Sequence, residues 1–232
     1  SGRRADGSPV MHHEGAPMAA NFFGQSAFAT RAITHARNTF VLPERFAHIP
    51  LDMIAPIGCG LMTGAGAVLN AMQVRSGLPI AVFGAGTVGM AAIMAARIAG
   101  ASPIIAVDVN EQRLALALDL GATHAFNARD DAIGRIKALV PQGLGYAFDT
   151  TGINTVIEEA WSLLAPKGIC GIVGASDPAD TPTFNKAAFM GGGRTVMGIL
   201  GGDSDGAPFL IALLDHHLAG RFPFDRLIGH FD

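Results

Sequence analysis

Six consecutive residues, Gly84-Ala85-Gly86-Thr87-Val88-Gly89, constrain the fold of this chain more than any other segment. They follow a short apolar run, Ile80–Phe83, and lead into a second apolar run, Val88–Ala99, long enough for a helix. In a strand-turn-helix unit the first glycine permits the tight turn, the second lets a ligand approach the backbone, and the third lets the helix pack on the strand. The segment therefore predicts a turn that cradles the pyrophosphate of a dinucleotide at a helix N-terminus.

An acidic residue stands where the adenosine ribose of such a dinucleotide would lie. Asp108 ends the next apolar run, nineteen residues after Gly89, and a carboxylate there accepts hydrogen bonds from ribose hydroxyls. Because it would repel a 2′-phosphate, we expect NAD rather than NADP; Arg113 either softens that preference or is an exposed helix cation. Two alternatives stay open: a glycine turn that binds nothing, with Asp108 solvated, and an S-adenosylmethionine enzyme, which also binds a ribose through an acid.

From Pro50 onward, short apolar strands alternate with helical periods, which is typical of a parallel sheet covered by helices. The predicted strands are Ile80–Phe83, Ile104–Val107, Ala125–Phe126, Tyr146–Phe148, Ile169–Val173 and Thr195–Leu200. The predicted helices are Leu61–Met72, Val88–Ala99, Glu111–Leu120, Ala132–Val140, Thr155–Leu164 and Pro208–Leu218. Six such strands predict an α/β, Rossmann-type, doubly wound sheet of order 3-2-1-4-5-6, with its ligand crevice at the carboxyl ends of the strands.

The first 45 residues have a different character, with polar turns, an aromatic pair at Phe22 and Phe23 and an alternating segment, Phe28–Ile33. They predict loops and one or two strands, and they carry too little apolar sequence for a core of their own. A chain that begins with Ser-Gly is also expected to be truncated. We therefore expect 1–45 to be a small β/loop remnant of a second domain, and 46–232 to be the dinucleotide-binding domain.

Composition narrows the classes of partner. Sixteen basic and nineteen acidic residues give a net charge of −3, which argues against binding to nucleic acid or an anionic membrane through charge neutralisation. The apolar stretch 80–107 is cut by glycines and Pro103, so we predict a buried strand-helix-strand unit and not a membrane span. Two cysteines cannot make a disulfide framework, which favours a reducing, cytoplasmic setting. Small molecules or other subunits are the expected partners.

Cys59 is bracketed by glycines just before a predicted helix. A thiolate at a helix N-terminus is a natural zinc ligand or nucleophile, although residue chemistry alone favours a small buried cysteine. Cys170 lies inside an apolar strand and is predicted to be such a small buried cysteine. Two predicted strands are followed by polar turns. One turn is 149–152, with Thr150 and Thr151, and the other is 174–176, with Gly174 and Ala175. These turns either border the crevice or are ordinary turns.

These segments together resemble the zinc-dependent medium-chain alcohol dehydrogenases, and within them the aryl-alcohol dehydrogenase group. The similarity runs through FFGQSAFATRAI (22–33), IGCGLMTGAGAVLN (57–70), the stretch from Val82 to Asn127, YAFDTTG (146–152) and GRFPFDRLI (220–228). It implies that Cys59 is a ligand of the catalytic zinc, that Thr63 and Val88 lie near the nicotinamide, and that Asp108 and Arg113 hold the ribose. It also implies hydride transfer between a primary, aryl alcohol or its aldehyde and NAD.

The departures from this family are equally informative. The family's Gly-His-Glu motif and its four-cysteine structural zinc loop have no counterpart in this sequence. The resemblance therefore implies a cofactor-binding domain with flanks, in which 1–45 is what remains of the catalytic domain and the catalytic site is incomplete. It also suggests a homodimer or homotetramer joined through the outermost strand, 195–200. The alternative is a stand-alone nucleotide-binding module without turnover.

Overall fold

The chain divides into two units, Ser1–His48 and Ile49–Asp232. The structure is a computed structural model, and it describes residues 3–4, 6–18, 30–31, 34–36, 39–177 and 179–229. Phe22, Phe23 and most of the alternating segment Phe28–Ile33 lie outside the described residues.

The first unit contains a small hairpin. Strand β1 (Met11–His13) pairs antiparallel with β2 (Ala16–Met18), and the two-residue turn Glu14-Gly15 has positive φ angles of 49° and 80°. Such a turn matches the natural twist of a two-stranded ribbon. A short 3-10 helix covers Glu44–Phe46. The origin of residues 1–45 in a catalytic domain stays a prediction.

The second unit is built on a six-stranded parallel sheet. Its strands are β3 (Ile80–Phe83), β4 (Ile104–Asp108), β5 (His124–Asn127), β6 (Leu144–Asp149), β7 (Leu164–Ile172) and β8 (Thr195–Gly198). They are arranged in the order β5-β4-β3-β6-β7-β8, and every neighbouring pair is parallel. When the six strands of this sheet are numbered 1 to 6 along the chain, their order across the sheet is 3-2-1-4-5-6. The predicted doubly wound order is therefore confirmed. The order reverses beside β3, where the glycine turn begins.

Helices connect the strands. They are α1 (Leu51–Ile54), α2 (Gly60–Gly66), α3 (Thr87–Ala99), α4 (Glu111–Leu120), α5 (Ala132–Leu139), α6 (Asn154–Ser162), α7 (Lys186–Gly192) and α8 (Gly206–Leu218). A π-helical turn, Ala67–Ala71, continues α2. Gly100 ends α3 in the left-handed conformation, and the Asn110 side chain caps α4 by accepting from the amides of Gln112 and Arg113.

Two element predictions are wrong in detail. The helix predicted to end at Leu164 ends at Ser162, because Leu164 already pairs with Leu144 as the first residue of β7. Helix α7 was not predicted, since its two terminal glycines disfavour helix; Asn185 compensates by accepting a hydrogen bond from the amide of Ala188 at 2.9 Å. The start of β7 depends on a long-range strand pair, whereas the cap of α7 is a local signal that the sequence prediction missed.

Alternate residues along each strand fill cores on opposite faces of the sheet. One core contains Phe83, Ile105 and Ala147 from the strands and Ile136 and Trp161 from α5 and α6. In the described residues, no single helix is long and apolar enough to cross a membrane. Two consecutive helical segments, Leu51–Gly58 and Gly60–Ala71, reach that length and apolar character only together, and they are bent by 52° where they meet.

Candidate functional site

The glycine turn after β3 is fixed by close backbone packing. Gly84 has a φ of 91°, and a Cβ there would overlap the Thr150 hydroxyl, which donates to the carbonyl oxygens of Phe83 (3.0 Å) and Gly84 (3.1 Å). A Cβ at Gly89 would overlap the Gly84 carbonyl oxygen. Two of the three motif glycines are therefore required by the protein's own packing.

Gly86 is different. Its backbone is extended (φ −77°, ψ −169°), a conformation any residue adopts, and a Cβ built there would meet no atom of the described residues within 4 Å. It is also the N-cap of α3 and supplies no side chain to the first-turn amides, which have no intrahelical acceptors. Nothing in the described part of the chain explains this glycine, whereas an anionic group resting on the helix N-terminus would occupy the space that a side chain fills.

Asp108 connects the glycine turn to the end of β4. Its carboxylate is nearly buried, with 8% of the residue exposed. Oδ2 accepts from the Ala85 amide at 2.7 Å, and Oδ1 accepts from the Asn110 amide at 2.9 Å. The Arg113 guanidinium lies 3.8 Å from Oδ2 and is mostly exposed. Since each carboxylate oxygen has two lone pairs, Asp108 retains capacity to accept hydrogen bonds from a ligand.

A second strand-end carboxylate, Asp149, is fully buried at the end of β6. Oδ1 accepts from the hydroxyl (2.7 Å) and amide (3.2 Å) of Thr151, and Oδ2 accepts from the Gly152 amide at 2.9 Å. Asp149 therefore holds the turn that carries Thr150 and Thr151. The sequence marks this turn as polar but does not reveal which of its residues organises it.

A cavity of about 540 Å3 opens at the carboxyl ends of β3, β4 and β6. Of the predicted cofactor residues, it is lined by Gly84, Gly86, Asp108, Arg113, Thr150 and Thr151. The others lie elsewhere: Thr87, Val88 and Gly89 form the first turn of α3, and Thr63 is buried in α2. Gly174 approaches the Gly152 backbone so closely that a Cβ would overlap its amide, and Ala175 is adjacent.

Several cavity residues were not anticipated from the sequence. Four of them are Val109, Asp131, Ile153 and Glu159. Asp131 carries a detectable signal, because an Asp directly before a helical period is a typical N-cap. The remaining three needed the tertiary structure.

Cys59 is exposed at the N-terminus of α2 and lies close to the cofactor motif. A Cβ at the next residue, Gly60, would sit 3.4 Å from Cγ2 of Thr87 and 3.8 Å from Cγ2 of Val88. Further along α2, a Cβ at Gly64 would overlap the Val88 carbonyl oxygen, so the backbones of α2 and α3 are in direct contact. The structure thus brings the predicted zinc ligand to the first turn of α3.

Zinc fits the described residues poorly. A catalytic zinc takes three protein ligands, and the described part of the chain contains no group of three or more His, Cys, Asp or Glu that could hold a metal ion. Cys59 is one candidate thiolate. Cys170 is unsuitable, because burial, reinforced by the nearby charge of Asp149, raises its pKa to about 12 and keeps it a neutral thiol.

The sheet order, the glycine turn and the strand-end acid define a Rossmann-type fold of the kind found in the cofactor-binding domains of alcohol dehydrogenases. A family model described as zinc-binding dehydrogenase matches residues 87–216. This chain belongs to that family, in which the relatives are alcohol dehydrogenases of the zinc-dependent medium-chain type.

The relatives are much longer than this chain. Geraniol dehydrogenase of Castellaniella defragrans is 38% identical over 231 residues, which are 99% of this chain and 61% of that protein. The alcohol dehydrogenase zinc-binding domain protein from Burkholderia ambifaria is 44% identical with a TM-score of 0.92, covering 99% of this chain and 62% of that one. Benzyl alcohol dehydrogenase from Acinetobacter calcoaceticus is 35% identical with a TM-score of 0.90, covering 100% and 62%. The chain therefore spans about three fifths of the length of the relatives it matches.

Proposed function

We propose that this chain is the NAD-binding part of a zinc-dependent alcohol dehydrogenase that transfers hydride between a primary, aryl alcohol and NAD. The observation that carries the proposal is Gly86, whose open face at the N-terminus of α3 is unexplained by packing. The nearby Asp108 and the cavity at the same end of the sheet supply the rest of a dinucleotide site.

The motif glycines and the α3 N-terminus would hold the pyrophosphate, and Asp108 with Arg113 would hold the adenosine ribose. Asp108 supports NAD over NADP, because a 2′-phosphate would approach a nearly buried carboxylate. Thr63, Val88, Thr150, Thr151, Gly174 and Ala175 stay predicted neighbours of the cofactor. When bound, NAD supplies a nicotinamide ring that accepts hydride, while the protein orients it.

The substrate class rests on the relatives. Geraniol and benzyl alcohol, which name two of them, are both primary alcohols whose reacting carbon is attached to an unsaturated carbon. An aryl alcohol or its aldehyde has the same arrangement. We propose that Cys59 contributes one thiolate to the zinc site of the whole protein, with the other ligands outside the described residues.

Calorimetry with NAD and NADP, beside a turnover assay with benzyl alcohol and added zinc, tests the proposal on this chain. We expect NAD to bind more tightly than NADP, and we expect no alcohol oxidation, since Cys59 alone does not complete a zinc site. Absence of NAD binding would contradict the cofactor-domain assignment. Robust turnover would show that the chain holds a complete ligand set. The second candidate, a nucleotide-binding module without turnover, gives the same result in these assays. The gene sequence upstream of Ser1 separates the two, because zinc ligands encoded there would establish the dehydrogenase.

The proposal includes a homodimer, or a tetramer built from it, and a cytoplasmic setting. Strand β8 is the last strand of the sheet, and an unpaired apolar edge is prone to association. Nearby, Leu200 is 90% exposed. Pairing of two β8 strands across a two-fold axis would continue the sheet. Analytical ultracentrifugation over a concentration series should show a dimer, and a monomer at the highest concentration would count against this interface.

A further inference from the structure

The cavity is also lined by six apolar residues, which together we name the apolar slot. They are Val107, Val109, Ala128, Ile133, Ile153 and Val156. Val109 and Ile153 are 49% and 54% exposed, so large apolar surfaces are left without protein contacts at the cavity. Such a slot suits a flat, largely apolar ring such as a purine.

Two carboxylates besides Asp108 also line the cavity, Asp131 and Glu159. Asp131 lies on the segment that leaves β5, and this segment is bonded to the ribose-site strand, since the Ala128 amide donates to the Asp108 carbonyl at 3.0 Å. An ionised carboxylate has no proton to donate, so it can accept hydrogen bonds but cannot donate them. The base in the apolar slot is therefore expected to present a donor.

The local structure holds the Asp131 carboxylate in an unusual way. Asp131 is the N-cap of α5, and its Oδ1 accepts from the Gly134 amide at 3.0 Å. An N-cap residue normally has an extended backbone, but Asp131 is left-handed, with φ 46° and ψ 47°. A Cβ at Gly134 would overlap the carboxylate, so a glycine, unfavourable inside a helix, makes room for it. Two local irregularities thus fix one carboxylate at the cavity wall.

Glu159 is placed differently. It lies on α6 with an exposed side chain that has one more rotatable bond, and within the described ranges its carboxylate is anchored by no hydrogen bond or ion pair. A flexible side chain loses more conformational entropy when it binds than one already held in place. Of the two acids, Asp131 is the preorganised one.

We infer that Asp131 makes this site select adenine, by accepting a hydrogen bond from the exocyclic amino group of the base. The inference rests on the proposed function and adds a residue that distinguishes adenine from other purines. Hypoxanthine carries an oxygen in place of that amino group, and its nearest donor, the N1–H group, lies one ring position away. In the same pose its oxygen would therefore face the carboxylate without a proton between them. A site that hydrogen-bonds a ligand donor disfavours an analogue that lacks a donor at that position.

The test compares the affinities of NAD and nicotinamide hypoxanthine dinucleotide for this chain by calorimetry. We expect NAD to bind at least about tenfold more tightly. Asp131→Asn keeps a good N-cap residue but can also donate, so the ratio should fall toward one. Asp131→Ser also keeps the cap and should also lower the ratio. Thermal melting of each variant checks that the fold is intact.

The matched control is Asp130→Asn, which removes one negative charge next to Asp131 but outside the cavity, and it should keep the wild-type ratio. Glu159→Gln tests the other acid of the cavity lining as the acceptor, and the ratio should stay if Asp131 is the residue that selects the base. A wild-type ratio near one, an unchanged ratio in folded Asp131→Asn, or loss of the ratio in Glu159→Gln would overturn the inference. Failure of the wild type to bind NAD at all would overturn the proposed function and this inference together.

Discussion

Asp108 ends β4 and Asp149 ends β6, on either side of β3 at the same edge of the sheet, yet their carboxylates are used differently. Asp149 is fully buried, and its partners all come from its own turn. Asp108 reaches from β4 to the amide of Ala85, lies beside Arg113 and lines the cavity. A strand-end acid saturated by its own backbone maintains the fold, whereas one that lines a cavity can also receive a ligand.

Removing Asp149 should have the largest effect. Asp149→Ala leaves the amide of Gly152 and the hydroxyl and amide of Thr151 without their acceptor, and we expect a loss of roughly 3 kcal/mol in the free energy of unfolding. Urea denaturation measures it. Asp130→Ala, at an exposed acid, serves as the control and should change stability by less than about 0.5 kcal/mol. Equal stability of the two variants would show that the Asp149 carboxylate does not hold its turn.

Gly86→Ala should affect binding much more than stability. Its Cβ would meet no atom of the residues that the structure describes, so the free energy of unfolding should change by less than about 1 kcal/mol. The same methyl group would meet the pyrophosphate, and NAD affinity should fall on the order of a hundredfold. Gly191→Ala, also open in space but remote from the motif, should leave NAD affinity unchanged. Wild-type NAD affinity in Gly86→Ala would show that the open face is not the cradle.

Asp108→Asn should weaken NAD binding by about tenfold or more, because a charged acceptor becomes a neutral amide. NADP should lose less affinity, since the substitution also removes repulsion of the 2′-phosphate. Titration of both nucleotides against wild type and variant measures the difference. Unchanged NAD affinity would remove Asp108 from the ribose site and make the two strand-end acids alike.

The two cysteines extend the comparison to reactivity. Cys59 is exposed, so iodoacetamide should label it in the native protein, whereas Cys170 should be labelled only after unfolding. Burial raises the Cys170 pKa from 9.0 to about 12, so its contribution to stability is complete below pH 9 and is lost as pH rises toward 12. Cys170→Ala should flatten that alkaline loss in urea titrations. Rapid native labelling of Cys170 would contradict its burial.

Features encoded by neighbouring residues were predictable. The strand β3, the glycine turn and α3 follow from apolar runs and glycine spacing, and Asp108 follows from its distance along the chain. The roles of Asp149 and Asp131 were not predictable. An Asp beside a turn can cap a helix at the surface, hold a turn from a buried position or line a cavity, and the local sequence is the same in all three cases. The start of β7 at Leu164 depends on its partner Leu144, to which no local pattern points.

The backbone contact between Gly64 and Val88 has a mechanical consequence. Since no side chain separates α2 from α3 at that point, the two helices have little freedom to slide independently. Thermal fluctuations should therefore move Cys59 and the start of α3 together, as parts of one stiff unit. The distance between the Cys59 thiol and the cofactor motif should then vary less than distances between parts of the chain that are not in such contact.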